Sequence, residues 1–352
     1  CARPVRAGAA PRVGDTALIA RLAALDLPAG GFSAPARRDA AARLNEMGLP
    51  GPRDEYWRYT DPAPFNAPRP EALAIPPREA TLFDDIDRLK LVFVDGVFDA
   101  AASDDLTGEG LEIDTLAAAD AGGDHWAGAL YGQLETAGQN PVRRPFAALN
   151  TLAARDGVLI RATGRVARPV HLLYRRSDEA ADVHLHHVIR LEQGAELTLL
   201  ETGAMGARSN AVLEVDLAAG ARFHHIASKR ADDDKLGIGH IFARVGEGAL
   251  LKSFALAVNG RVMRNEGVIE ITGDDAVAHI AAAVLGDGDE GRFHHDDTVF
   301  ITHAGQRCES RQVYKKVLKN GAQGIFQGKI LVRPGAQKTD GYQISQGLLL
   351  AE

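Results

Sequence analysis

Apolar residues recur at helical spacing only in the first part of the chain. Leu18, Leu22 and Leu25 share one helix face, with Asp15 as N-cap and Pro28 and Gly30-Gly31 as the stop. Ser33 caps a second helix, with Pro35 in its first turn and Gly48 just past its end. Ahead of this helical pair, residues 1–14 read as a disordered leader. Behind it, Pro50, Pro52, Pro62, Pro64, Pro68, Pro70, Pro76 and Pro77 mark 49–80 as a linker or wrapping arm rather than a folded unit. The arm carries Tyr56-Trp57-Arg58-Tyr59, aromatics expected to dock it onto the main body.

The pattern then changes. Residues 91–99 form an apolar run broken by Asp95-Gly96, a type I′ hairpin signal. Residues 111–155 return to an Ala- and Leu-rich helical composition, and from 157 onward short β-type runs take over. They repeat. Gly-Ala turns stand at 194, 220 and 248, with Asp275-Ala276 in an equivalent setting, so the spacings are 26, 28 and 27 residues. Gly321-Ala322 and Gly335-Ala336 lie 14 apart, half that period. Each turn is preceded by a β run, as in Val188–Leu191 and Val212–Leu217, and followed by another, as in Leu197–Leu200 and Phe223–Ala227. A fixed period without intervening helices predicts a β-helix, whose stacked coils place like turns above one another. A β-sandwich also spaces its strands evenly, but does not require recurring turn chemistry. The fold class is therefore mainly β, a parallel β-helix solenoid with an N-terminal helical region. Residues 1–90 form the helical region and Pro-rich arm, and 91–352 the β-helix core. Spacing does not derive the handedness.

Composition narrows the function. Forty basic and 47 acidic residues give a net charge of −7, which argues against a nucleic-acid surface. No run of 18 apolar residues suggests a membrane span. Two cysteines, Cys1 and Cys308, form no disulfide framework and fit a reducing compartment. The first residues lack the apolar core of a signal peptide, so a cytoplasmic location is expected. The chain opens at Cys1 without Met and stops at Leu350-Ala351-Glu352, which reads as a fragment.

Four constellations are candidates for chemistry. His184 and His186 fall on one face of a strand and could ligate a metal, but no carboxylate follows on a matching beat, so solvent-facing positions are the better account. His224-His225 places one ring inward and one outward. His294-His295-Asp296-Asp297 with His303 and Cys308 concentrates iron and zinc ligand types, though no second cysteine completes a finger. Lys316, Lys329 and Lys338 sit among β-forming residues and read as a solvated outer face. No phosphate loop, dinucleotide fingerprint or nucleophile elbow occurs. Residue chemistry alone leaves open a stand-alone β-class, cupin-like metal-dependent enzyme using His184/His186 or His295/His303/Cys308. A β-helical polysaccharide-active enzyme ranks lowest, because no secretion signal accompanies it.

Several segments carry a resemblance. They are Asp54-Glu55-Tyr56-Trp57-Arg58-Tyr59-Thr60-Asp61, Leu91-Val92-Phe93-Val94-Asp95-Gly96 and Pro145-Phe146-Ala147-Ala148-Leu149-Asn150. Further along come Cys308-Glu309-Ser310-Arg311-Gln312, Gly324-Ile325-Phe326-Gln327-Gly328-Lys329-Ile330 and Ala336-Gln337-Lys338-Thr339-Asp340-Gly341-Tyr342-Gln343. In this order, over nearly all of 50–352, the chain resembles the SufB/SufD family of iron–sulfur cluster assembly proteins. The aromatic arm and helical N-terminus look like the SufD side of that family. The resemblance implies a right-handed parallel β-helix in a cytoplasmic complex with SufB and the SufC ATPase. It implies a non-catalytic scaffold and partner subunit with no tightly bound cofactor, sharing a transient Fe–S cluster with its partner. A homodimer through the β-helix end is the other pairing it allows. The chain stops before the acidic Cys/His segment and C-terminal helices that the family normally carries, and Cys308 does not stand in for them. Cys308, His303 and His295 remain the candidate cluster or iron contacts, with Cys308 also readable as a small core residue.

Overall fold

The structure, a computed structural model, describes residues 13–75, 82–230, 235–288 and 293–350. Cys1, most of the proposed leader and the Pro76-Pro77 pair lie outside these residues. Helix α1 (Val13–Ala23) begins before Asp15, which therefore lies inside the helix instead of capping it. Helix α2 (Ala34–Met47) does start after Ser33 and ends at Gly48, whose φ of 68° supplies the left-handed residue that closes a helix. The Ser33 hydroxyl donates to Asp120 Oδ2 at 2.6 Å, so it ties the helix to a distant segment in place of capping it. Among the described residues of the arm, only the short α3 (Ala63–Asn66) and one 3₁₀ turn at Glu55–Trp57 are regular.

Strands β1 (Leu89–Val94) and β2 (Val97–Phe98) form the expected hairpin, with Asp95 at φ 49° and Gly96 at 81°. Strands β3 (Thr107–Gly108) and β4 (Leu111–Thr115) follow, so the helical stretch begins five residues later than composition indicated. Ile113 faces the solenoid core, and pairing of β4 with a later strand overrides local helical preference. Helices α4 (Leu116–Gly122), α5 (Gln133–Ala137) and α6 (Pro145–Ala153) come next.

From there the chain winds between two sheets. The strands are β5 (Val158–Ala162), β6 (Val170–Arg175), β7 (Asp182–Leu191), β8 (Glu196–Gly203), β9 (Arg208–Leu217) and β10 (Arg222–Arg230). They continue as β11 (Leu236–Val245), β12 (Leu250–Val258), β13 (Val262–Ile271) and β14 (Val277–Asp287). The last four are β15 (His294–His303), β16 (Glu309–Lys319), β17 (Gln323–Val332) and β18 (Asp340–Leu349). From β6, even-numbered strands stack parallel in one sheet; from β5, odd-numbered strands stack parallel in the other. The result is a β-solenoid of about six turns. Its pairing is in register from coil to coil, so inward residues form columns such as Leu191, Leu217, Val245, Ile271, His303 and Val332.

The repeated turns explain that register. The N–H of Gly194 donates to Ala219 O at 2.9 Å, Gly220 to Glu247 O at 2.7 Å, and Gly248 to Asp274 O at 2.8 Å. Asp275 and Arg307 occupy the same place in later coils, at φ 56° and 55°. The residue after each is buried: Ala195, Ala221, Ala249, Ala276 and Cys308. Gly321-Ala322 instead leads into β17 on the other sheet, which accounts for its half-period offset. Gly335-Ala336 lies outside the stack, because Lys338, at φ 59°, precedes β18 in the equivalent position.

The helical layer covers the outer face of the odd-numbered sheet. Trp57, Phe65 and Phe146 meet edge-on or tilted at 5.2–6.3 Å, and pin the arm beside Leu236 and Ile238. Tyr56 packs on Phe300, but Tyr59 is exposed, so the docking falls to Trp57 and Tyr56.

Candidate functional site

Small inward residues leave space midway along the solenoid. Ala211 and Gly239 line one side of the interior and Ala227, Ala255 and Ala282 the other, while the coils on either side carry Leu185, Glu201, Asn265 and Tyr314 at the same register. The result is a cavity of about 90 Å³. Space of that size holds water only if polar partners line it, and here they do.

Tyr174 donates its hydroxyl to Glu201 Oε2 at 3.1 Å and lies 3.2 Å from His187 Nε2. Glu201 Oε1 lies 2.9 Å from His225 Nε2, and the other nitrogen of that ring lies 2.9 Å from Ser253 Oγ. Farther along, Lys229 Nζ donates to Asn265 Oδ1 at 2.8 Å. Asn265 donates in turn to Asp297 Oδ1 at 3.2 Å, and Lys316 Nζ lies 2.8 Å from Asp297 Oδ2. Two hydrogen-bonded rows thus cross successive coils inside the solenoid.

The electrostatics follow from that enclosure. Burial pushes the Glu201 carboxyl up, but the His225 hydrogen bond and the nearby His225, His187 and Lys229 charges outweigh it and hold it at about 2. Burial likewise opposes ionisation of Asp297, and His295 and Lys316 reverse it, keeping that carboxyl well below the usual range. Burial lowers Lys229, against the pull of Glu201 and Asp297, and lowers His187 to about 4. The arrangement can hold water and balance buried charge.

The structure disperses the residues singled out from sequence. His295 is in the interior, with Nδ1 3.2 Å from Asp297 Oδ2. His303 is eight residues along the same strand, about 27 Å away at strand rise. Its Nε2 lies 2.9 Å from Ser310 Oγ, and burial lowers its pKa. Cys308 is enclosed in the turn column, its thiol donating to Gly273 O at 3.2 Å, and burial pushes that thiol up. Among the described residues, no group of three or more His, Cys, Asp or Glu side chains is placed to hold a metal ion.

His184 and His186 are not solvent-facing. They lie under the helical layer, where His186 Nε2 is 3.0 Å from Glu214 Oε2 and its ring packs tilted against Tyr131, centroids 4.2 Å apart. His224 and His225 do split outward and inward. Lys329 and Lys338 are exposed as expected, but Lys316 is buried against Asp297. Glu201 and Lys229 were missed, although both stand on the inward beat of their strands. A charge at that phase was the available signal.

Among the described residues the solenoid ends at β17 and β18. Strands β17 and β18 are the last in their sheets, and each is paired on one side only. Their apolar residues stay exposed, with Leu348 at 57% and Leu349 at 73%.

Residues 174–352 match the family described as SUF system FeS cluster assembly, SufBD core domain. The chain belongs to the SufBD family. The matched core opens at Tyr174, the first residue of the polar row, and runs through the exposed end. "Iron-sulfur cluster assembly protein SufD" of Escherichia coli is 27% identical over 327 residues, covering 88% of this chain and 72% of its own length. That similarity therefore reaches back past the SufBD core into the helical part. A SufBD family protein of Synechocystis is 24% identical over 344 residues, covering 90% of this chain and 73% of its own. One from Mycobacterium leprae is 22% identical over 224 residues, 60% of this chain and 56% of its own. No helix among the described residues is long and apolar enough to cross a membrane.

Proposed function

We propose that this SufBD chain is a non-catalytic scaffold of the SUF system, acting in the cytoplasm. Its partners are a SufB-type chain and the SufC ATPase, and its cargo is a nascent Fe–S cluster held with the partner rather than by this chain alone. The observation that carries the reading is the match to the SufBD core over residues 174–352. The separation of His295 from His303, and the enclosure of Cys308, speak for a cluster held together with a partner rather than by this chain alone. A second copy of the chain is the competing partner.

The test is anaerobic co-expression of the tagged full-length protein with untagged SufB and SufC. Iron and acid-labile sulfide are then assayed on the protein alone. A stoichiometric ternary complex and a metal-free isolated protein are expected. A solitary protein with a stoichiometric metal would overturn the proposal and favour an enzyme reading.

A further inference from the structure

The two outer faces of the solenoid are not alike. On the odd-numbered sheet, α6 lies along the coil axis. Asn150 Nδ2 donates to Leu185 O at 3.0 Å and Asn210 O at 2.7 Å, carbonyls of successive coils, while Ala147 packs with Val212 and Phe242. The even-numbered sheet has no such helix over β10 to β18 among the described residues. Its outward residues still form an apolar row in register: Ile226, Phe254, Ala281, Val313 and Ile344. A second row, Val258, Leu285, Val317 and Leu348, runs parallel to it four residues along each strand. Phe254 is 41% exposed and Leu285 46%.

Away from its two edges, charge on this face is basic. Beside the apolar row stand His224, Lys252, His279 and Arg311, again in register, and Lys315 lies on its other side. His279 and Arg311 are partly neutralised by Glu309 and Asp340, which stand at the turn edge. Lys252 is exposed and has no ion pair among the described residues. Between the turn edge and Asp287, the outward positions of β12 to β18 carry no carboxylate, in a chain whose net charge is −7.

We infer that this face seats an amphipathic helix of another polypeptide, with carboxylates flanking its apolar stripe. The five strands from β10 to β18 span about 19 Å at ~4.8 Å per strand, the length of roughly 13 helical residues. One helical turn, ~5.4 Å, nearly matches one coil, so residues at i, i+3/i+4 and i+7 meet successive members of the apolar row. The α6 helix shows that this solenoid accepts a helix in that orientation. The site reaches the last strand through Ile344 and Leu348 and does not depend on the partner named above.

The test uses the full-length protein and two synthetic 14-residue helical peptides. Each has leucines at i, i+3, i+4 and i+7, one flanked by glutamates and the other by lysines. Fluorescence anisotropy should show saturable micromolar binding of the glutamate peptide, weakened by salt, and at least about tenfold weaker binding of the lysine peptide. Lys252→Glu and Phe254→Ser should each lower affinity at least about tenfold, while Lys329→Glu leaves it unchanged. Both variant positions are exposed, and a melting curve for each checks that the fold is retained. Hydrogen exchange should show new protection in 250–258 and 277–287. Equal binding of both peptides, indifference to the Lys252 and Phe254 variants, or protection confined to 323–349 would overturn the inference. So would a tighter, Lys252-dependent association with phosphatidylglycerol vesicles.

Discussion

Nε2 of His225 lies 2.9 Å from Oε1 of Glu201, across the gap between neighbouring coils and inside the solenoid. The pair makes the interior pH-dependent. Burial raises the Glu201 carboxyl, but its partners hold it at about 2, against ~4.3 for an unfolded glutamate. A depressed carboxyl stabilises the fold above the unfolded value, and that stability is lost as pH falls from ~4.3 toward 2. The shift corresponds to about 3 kcal/mol at neutral pH. Glu201→Gln should therefore lower urea-unfolding stability by that order at pH 7, and the gap from wild type should narrow at pH 3. A gap independent of pH would show that the carboxylate charge is not what stabilises the pair.

Arg264 latches the arm. Its guanidinium lies 4.3 Å from the centre of the Trp57 ring and pairs with Glu266 and Asp296, while Thr60 donates to Asp296 at 2.7 Å. Arg264→Ala leaves buried Asp296 without its cation, while Glu266 keeps Arg144 at 2.8 Å, and should cost about 3–5 kcal/mol. Thr60→Val should cost about 1 kcal/mol. Hydrogen exchange should rise over residues 53–66 in the milder variant while β7 to β13 stay protected. Equal loss of protection everywhere would mean that the arm and solenoid unfold as one.

Cys308 occupies a position that four earlier coils fill with alanine, so Cys308→Ala should change stability by less than about 1 kcal/mol. Cys308→Leu has no room to expand into and should cost about 1–3 kcal/mol. In a Cys1→Ser background, the native thiol should react with a disulfide reagent far more slowly than in urea. Fast native labelling would place the thiol at the surface.

Gly321 has φ 75° and nothing within 4 Å of where a Cβ would stand, so conformation alone penalises substitution there. Gly321→Val should cost about 1–2 kcal/mol, and Gly321→Asn clearly less, because Asn tolerates the left-handed region. Chemical denaturation of the two variants checks the order. A fully native melting curve for the valine variant would count against the turn assignment.

The architecture was legible because a solenoid writes its period into the chain. Stacked coils need the same left-handed turn at the same place, so Gly194, Gly220 and Gly248 recur, and Asp275 serves where glycine does not. Asp95-Gly96 was readable for a similar local reason, since a two-residue hairpin dictates its own φ angles. The candidate site was only partly legible. Period-two alternation split His224 and His225 between inside and outside, yet Lys316 was assigned to solvent and His184 and His186 to an outer surface. An outward strand position is exposed only where nothing covers it, and the helices that cover one sheet pack from distant sequence. Residue types close in sequence also suggested a joint site for His295, His303 and Cys308. An extended strand instead carries the two histidines about 27 Å apart, and the turn column encloses the thiol. Local sequence determined the coil and its turns, because these depend on backbone angles and residues next to one another. Tertiary structure decided which charges lie inside and which sheet face is covered, because those depend on what packs from elsewhere in the chain.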